Sequence, residues 1–311
     1  MNIQNSLSIK QQRKTKRKNW LSNYKYLYLM LAPVVISVAF FSYLPLPGLA
    51  VAFMDYDFVT KFKSPWVGFD NIITILQTPM FAKAIFNTLK VSILSLFICF
   101  PLPIIFAMLL NEIKVKSFKR TIQTISYLPH FLSWISVVGI VYSFMSKDGT
   151  INDILASCFG MERQMILSKQ GLFLPLIILL DAWKGLGWNS IIYLAALTSI
   201  DAQLYEAASI DGAGKFRQLI TITIPGILPT AIMLLILRMG TIFASNFELI
   251  YGLQNSFIDF EVISTVVYKF GITQGNYSIA AAFGFLEGIV SLALVAMTNY
   301  ISKKVTQTSI W

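Results

Sequence analysis

Ser199-Ile200-Asp201-Ala202-Gln203-Leu204-Tyr205-Glu206-Ala207-Ala208-Ser209-Ile210-Asp211-Gly212-Ala213-Gly214-Lys215-Phe216-Arg217, continuing to Ile222-Thr223-Ile224-Pro225, separates two long apolar stretches. Local rules turn it into two short helices joined by an elbow. Asp201 is a good N-cap, since its carboxylate accepts a backbone N–H orphaned at a helix start, and Ile200 and Tyr205 occupy the positions of a hydrophobic staple. Gly212 stands where a helix needs a left-handed residue to end. From Lys215 a second helix sets Phe216, Leu219, Ile220, Thr223 and Ile224 on one stripe, and Pro225 is expected to close it. The small side chains of Ala207 and Ala208 permit close approach of another surface, and a rigid elbow transmits force. Local physics allows a second reading, an amphipathic connector lying on a membrane.

The flanking stretches decide the solvent. The chain has 311 residues, 56% hydrophobic and 13% charged, far too little charge to cover a soluble protein of this length. Six stretches reach the roughly 20 apolar residues of a transmembrane helix: Tyr26–Ala50, Asn87–Leu110, Ile122–Met145, Gly171–Leu197, Gly226–Ile250 and Ile279–Ile301. All contain Gly, Pro, Ser or Thr, which membrane helices tolerate. The expected fold is an all-α integral membrane protein of six transmembrane helices.

Lys and Arg set its orientation under the positive-inside rule. With the N-terminus inside, fifteen of the 25 basic residues fall on cytoplasmic segments, including Lys10, Arg13, Lys14, Lys16, Arg17 and Lys18. Seven fall outside, and Lys90, Lys184 and Arg238 lie in or beside spans. With acidic residues included, the net charge is +11 inside, −1 outside and 0 in the spans. Both termini are expected in the cytoplasm. The first span is too long for the h-region of a signal peptide and is expected as a retained anchor. The tail before it is a topology signal beside anionic lipid, and Gly68–Met80 is an amphipathic outer loop resting at the interface.

Several chemistries are excluded. The net charge of +10 does not indicate nucleic acid, because apolar blocks separate the basic residues. Cys99, Cys158 and the single His130 supply neither a disulfide framework, a metal site nor a catalytic set. Gly212-Ala213-Gly214-Lys215 imitates part of a phosphate loop, but Ser209 and Phe216 stand where Gly and Ser or Thr are required. A membrane enzyme would need a catalytic constellation. A secondary transporter would need internal repeats or midplane half-helices.

The elbow resembles the cytoplasmic loop of permeases from binding-protein-dependent ABC importers, with its signature EAA, three residues, Gly, nine residues, I-x-L-P. Here Glu206-Ala207-Ala208 is followed after three residues by Gly212, and after nine more by Ile222-Thr223-Ile224-Pro225. Ile224 replaces Leu, and Ala202 stands where relatives often carry a helix-starting proline. The resemblance runs from about Asn87 to the last span. It implies a type I importer permease fold with a core over residues 83–302 and a coupling loop over 199–225. A tail over 1–24, a first helix and outer loop over 25–82 and a C-terminus over 303–311 flank that core.

In such permeases the loop sits in a groove of an ATPase subunit. By resemblance, Tyr205, Glu206, Ala207, Ala208, Asp211, Gly212 and Gly214 are the coupling residues, with Glu206 facing a basic group of the ATPase. The implied partners are a second homologous permease, two ATP-binding cassette subunits, an extracytoplasmic solute-binding protein and membrane lipid, in a bacterial cytoplasmic membrane. ATP and Mg would sit on the ATPases, leaving this chain without cofactor, metal or catalytic residue.

Charged groups inside spans are functional candidates, because each costs about 2.5–3.5 kcal/mol on insertion scales. Lys184, Trp188, Asn189, Arg238, Asn246 and Glu248 are the solute-contact candidates, with Asp181, Trp183 and Glu287 nearby. Asp181 and Lys184, three residues apart, are spaced to neutralise each other on one helix face, the alternative being a Lys184 that snorkels from near a span end. Aromatic faces with amides and a few charges suit a sugar. Trp183-Lys184 with Gly187-Trp188-Asn189-Ser190, and Asn87-Thr88-Leu89, resemble the oligosaccharide branch, in which Lys184 or Arg238 would serve an acidic sugar. An ABC permease for another solute class is the alternative.

Overall fold

The computed structural model describes residues 24–306. The expectations for the basic tail, including Lys10 to Lys18, and for residues 307–311 lie outside the described residues. The chain divides into two units, one ending at Val51 and one beginning at Ala52. Among the described residues the only strand-like pairing is a single antiparallel bridge between Met54 and Trp66.

The first unit holds α1 (Lys25–Val38). In the second, α2 (Asp70–Gln77), α3 (Pro79–Leu94) and α4 (Pro101–Glu112) are followed by α5 (Lys116–Tyr127), α6 (Trp134–Met145) and α7 (Thr150–Phe159). Then come the long α8 (Gln170–Thr198), the short α9 (Ala202–Ile210) and α10 (Lys215–Gln218), and α11 (Ile224–Met239). The last three are α12 (Phe247–Leu253), α13 (Ile263–Val267) and α14 (Tyr277–Thr306).

Five helical stretches are long and apolar enough to cross a membrane: Lys25–Phe53, Pro79–Glu112, Gln170–Thr198, Lys215–Met239 and Tyr277–Lys304. A sixth follows if Lys116–Phe131 and Trp134–Phe159, bent by 100° at a short break, count as one span. The chain is thus helical and multi-spanning as expected. Its outer faces agree: Phe97 and Leu292 are 73% and 70% exposed, as on faces covered by lipid or by another protein.

Three of the long stretches pass through a proline by one device. A wide π turn occupies Ala39–Tyr43, Ser95–Cys99 and Leu219–Thr223, ending two residues before Pro45, Pro101 and Pro225. The residue before each proline donates five residues back: Leu44 to Ala39, Phe100 to Ser95 and Ile224 to Leu219. The widened turn moves the carbonyl that the proline ring would otherwise strike, and the helix continues. Pro225 therefore does not close the helix after the elbow, contrary to expectation. Lys215 to Met239 is one continuous stretch.

Other boundaries move too. Ile122–Met145, expected as one span, is broken by a tight turn at Leu128–Phe131 around Pro129. Ser133 then caps α6 by accepting from the Ser136 N–H at 3.1 Å. The Gly226–Ile250 stretch stops at Met239, and Asn246 starts α12 by accepting from the Leu249 N–H at 3.2 Å. Within Gly68–Met80, Asp70–Gln77 forms α2, whose Ile72 and Ile75 are buried against Phe81, Ile279 and Phe283. That face packs on protein, so the stretch holds a helix where a loop was expected, while Phe69, Ile73 and Leu76 stay exposed.

Three apolar clusters make the core. Val137, Val138 and Val141 of α6 meet Phe173 and Ile177 of α8 and Leu249, Ile250 and Leu253 of α12. Ile263 and Val266 of α13 join the α2–α3–α14 cluster. Ala107 and Leu110 of α4 meet Tyr193, Leu194 and Leu197 of α8 and Ile227 of α11. The α8 helix enters two of these clusters and also packs on α5. Its Gly187 lies so close to α5 that an added Cβ would overlap the Ser126 carbonyl.

Candidate functional site

The elbow is closed at both ends as local chemistry requires. The Asp201 carboxylate accepts from the Gln203 N–H at 2.9 Å. At the other end Gly212 adopts φ +75°. The Ala213 N–H then donates to the Ala208 carbonyl at 2.8 Å and the Gly212 N–H to the Ser209 carbonyl at 3.1 Å, the double closure of a Schellman ending. Gly214 is the extended residue before α10.

Side chains brace the elbow. Tyr205 and Thr223 join hydroxyl to hydroxyl at 2.9 Å. Gln218, buried, donates to the Ser209 hydroxyl at 2.9 Å and to the Ala213 carbonyl at 3.1 Å. Lys215 pairs with Glu112 at 3.1 Å, both exposed. The opposite face is bare: α9 buries no residue, and Leu204, Ile210 and Phe216 are 52%, 87% and 73% exposed, with Glu206, Ala207 and Asp211 also open. Gln218 was not singled out from the sequence. Its only signal is an amide between Arg217 and the apolar run that starts at Leu219.

Within the bundle, two cavities share a polar seam. One, of about 340 Å³, is lined by Cys99, Asp181, Asn189, Tyr193, Arg238 and Thr241 among others. The other, of about 220 Å³, is lined by Ser92, Ser95, Asp181, Arg238, Ser245 and Asn246 among others. Between them the Arg238 guanidinium donates to the Ser95 hydroxyl at 2.9 Å, which donates to the Asp181 carboxylate at 3.3 Å. Ser95 opens the π turn before Pro101, and Arg238 sits in the last turn of α11. Ser95 is therefore held at a helix irregularity and Arg238 at a helix end. Ser95 was missed in the sequence, and the proline that follows it was the available signal.

Arg238, Asn189 and Asn246 are thus brought to one seam. Lys184 and Trp188 are not. Lys184 donates to the His130 carbonyl at 3.1 Å and lies over the Trp134 ring at 4.7 Å. Trp188 stacks on His130 at 4.3 Å with the rings parallel to within 1°. One turn apart on α8, the two tie down the break between α5 and α6. Among the described residues no ion pair joins Lys184 to Asp181, which bonds Ser95 instead. Glu248 is exposed in the first turn of α12 and lines neither cavity. Asn87 and Thr88 are buried: the Asn87 amide donates to the Glu261 carbonyl at 2.9 Å, and the Thr88 hydroxyl accepts from the Ile263 N–H at 2.9 Å. They pin the start of α13 to α3.

A bundle of apolar helices that run through prolines around a polar seam, bearing a capped elbow with one bare face, defines a membrane transport subunit. More narrowly, the chain belongs to the family of binding-protein-dependent transport system inner membrane components, whose profile matches residues 99–307. It is a transport component of ABC importers and not an enzyme. It is 42% identical to Protein LplB of Bacillus subtilis (strain 168), over 92% of this chain and 91% of the relative. The polygalacturonan/rhamnogalacturonan transport system permease protein YteP of the same organism is 40% identical over 96% and 95%. A chain of a bacterial ABC transporter involved in import of the acidic polysaccharide alginate superposes with a TM-score of 0.85 at 38% identity, over 94% of this chain and 99% of that one. The same match is found to the alginate transporter in complex with alginate pentasaccharide-bound periplasmic protein.

Proposed function

We propose that this chain is one of two homologous permeases that together form the path for an acidic oligosaccharide through a bacterial cytoplasmic membrane. An extracytoplasmic binding protein delivers the solute, and two ATP-binding cassette subunits, which hold ATP and Mg, drive alternating access. Relatives named for polygalacturonan and alginate support the substrate class, and the alginate complex supports the binding protein. The charge asymmetry of the loops supports cytoplasmic termini and a cytoplasmic elbow. The importer core spans 83–302, preceded by a basic tail at 1–24 and a first helix and outer loop at 25–82, and followed by a C-terminus at 303–311.

The elbow couples the chain to the ATPase. Glu206 meets a basic group there, Ala207 and Ala208 allow close seating, and Tyr205, Asp211, Gly212 and Gly214 fix the angle between the arms. Solute passes the seam, where Arg238 reads a carboxylate and Asn189 and Asn246 read hydroxyls. Lys184, Trp188 and Glu248 lie off those cavities and reach solute only in a path completed by the second permease.

One observation carries this reading: an elbow capped and braced from behind that leaves a mixed apolar and acidic face uncovered. The test is uptake of labelled trigalacturonate into proteoliposomes bearing the whole transporter. Uptake requiring both ATP and the binding protein, and exceeding that of its neutral methyl ester, is expected. Uptake by this chain alone contradicts the reading.

A further inference from the structure

A third cavity, open and of about 680 Å³, lies along α3 and at the N-terminal end of α8, lined by Lys83, Lys90, Gln170, Pro175, Phe257 and Asp259 among others. Eleven residues of α8 separate Gln170 from Asp181, or about 16 Å along a helix. The cavity extends from Gln170 along α8 to Pro175, on the approach to the seam, and lies at the opposite end of α8 from the elbow. Its floor is firmly built. The Gln170 amide donates to the Asp259 carbonyl at 3.0 Å and its oxygen accepts from the Asp259 N–H at 2.9 Å. Gln254 holds the Phe260 carbonyl at 2.6 Å.

The chemistry of the lining is uneven. Lys83 pairs with Asp259. Lys90, two helical turns on, makes no ion pair among the described residues and rests over the Phe86 ring at 4.4 Å. Phe257 is 65% exposed, an apolar plate lining the same cavity as the two ammonium groups. A cation with no ion pair among the described residues, a second held by an exchangeable carboxylate, and an exposed ring match a uronate, whose flat face stacks and whose carboxylate seeks a charged donor.

We propose that this cavity is a receiving site for the carboxylate of an acidic sugar before it reaches the seam, with Lys90 and Lys83 as cations and Phe257 as stacking surface. The solute's carboxylate displaces Asp259 from Lys83. This rests on the reading of the chain as an acidic-oligosaccharide permease.

The whole transporter in phosphatidylcholine proteoliposomes is the test, with trigalacturonate and its fully methyl-esterified form as probes. Lys90→Gln removes no ion pair and should raise KM for the acid about tenfold, the worth of one charge-assisted contact, while leaving the ester's KM unchanged. Asp259→Asn, which frees Lys83, should lower KM for the acid. Equal shifts for acid and ester, or none with wild-type discrimination intact, would overturn the receiving site alone. An effect seen only when phosphatidylglycerol is added would assign the lysines to lipid headgroups and also overturn it. A wild-type transporter indifferent to esterification would sink the acidic-solute reading together with this one.

Discussion

The Tyr205 and Thr223 hydroxyls lie 2.9 Å apart, tying the first arm of the elbow to the π turn that leads into the fifth span. Thr223 is buried and belongs to the Ile222-Thr223-Ile224-Pro225 end of the signature, while Tyr205 immediately precedes Glu206. The bond therefore joins the two halves of the signature in space. In the proposed coupling, force applied at Glu206 would pass through it to the helix that carries Arg238. A single such bond is worth about 0.5–1.5 kcal/mol. Tyr205→Phe and Thr223→Val should each lower solute-stimulated ATPase of the assembled transporter severalfold. The double variant should be no worse than either single one. Additive losses in that cycle would show that the two residues act separately.

Gly212 is required for its backbone and not for space. At φ +75° an added Cβ meets nothing within 4 Å, so Gly212→Ala carries only the left-handed penalty of about 1–2 kcal/mol. Proline, locked near φ −65°, cannot close the elbow at all. Gly212→Ala should retain part of the coupled ATPase activity and Gly212→Pro none, with both chains still inserting in membrane. Equal activity of the two variants contradicts the account.

Gly187 has the opposite reason. Its φ is ordinary, but a Cβ would overlap the Ser126 carbonyl, whereas one on Gly284 in α14 meets nothing within 4 Å. Gly187→Ala should destabilise by about 1–3 kcal/mol through forced separation of α5 and α8, despite alanine's better helix propensity. Gly284→Ala should be neutral or slightly stabilising. Melting of the detergent-solubilised transporter distinguishes them.

The parts of the fold read most directly from sequence were those set by strong local terms. Hydropathy found the long stretches, because lipid removes the option of scattering charge. Asp201 and Gly212 fixed the ends of α9, because a cap and a left-handed residue act within one turn. What escaped was governed by contacts distant in sequence. Pro225 read as a helix stop, yet the π turn behind it carries the helix through. Pro129 looked tolerable inside one span, yet it ends α5, and the break is clasped by Lys184 and Trp188 from α8. The same clasp explains why two residues that suit a sugar stand off the seam. Arg238 and Asp181 were visible as charges in apolar runs. That Ser95 links them depends on α3, α8 and α11 meeting, which no local pattern encodes.

The central claim is that Glu206, exposed on the bare face of a braced elbow, contacts the ATPase subunit. Glu206→Lys reverses the charge, removes no hydrogen bond described in this chain, and leaves the helix caps untouched. The most direct measurement is solute-stimulated ATP hydrolysis by the purified, reconstituted transporter carrying this variant, beside its thermal melt. The account predicts an unchanged melt of this chain with stimulation lost, and partial recovery when a basic residue lining the ATPase groove is changed to glutamate. Full stimulation by the Glu206→Lys transporter would contradict it.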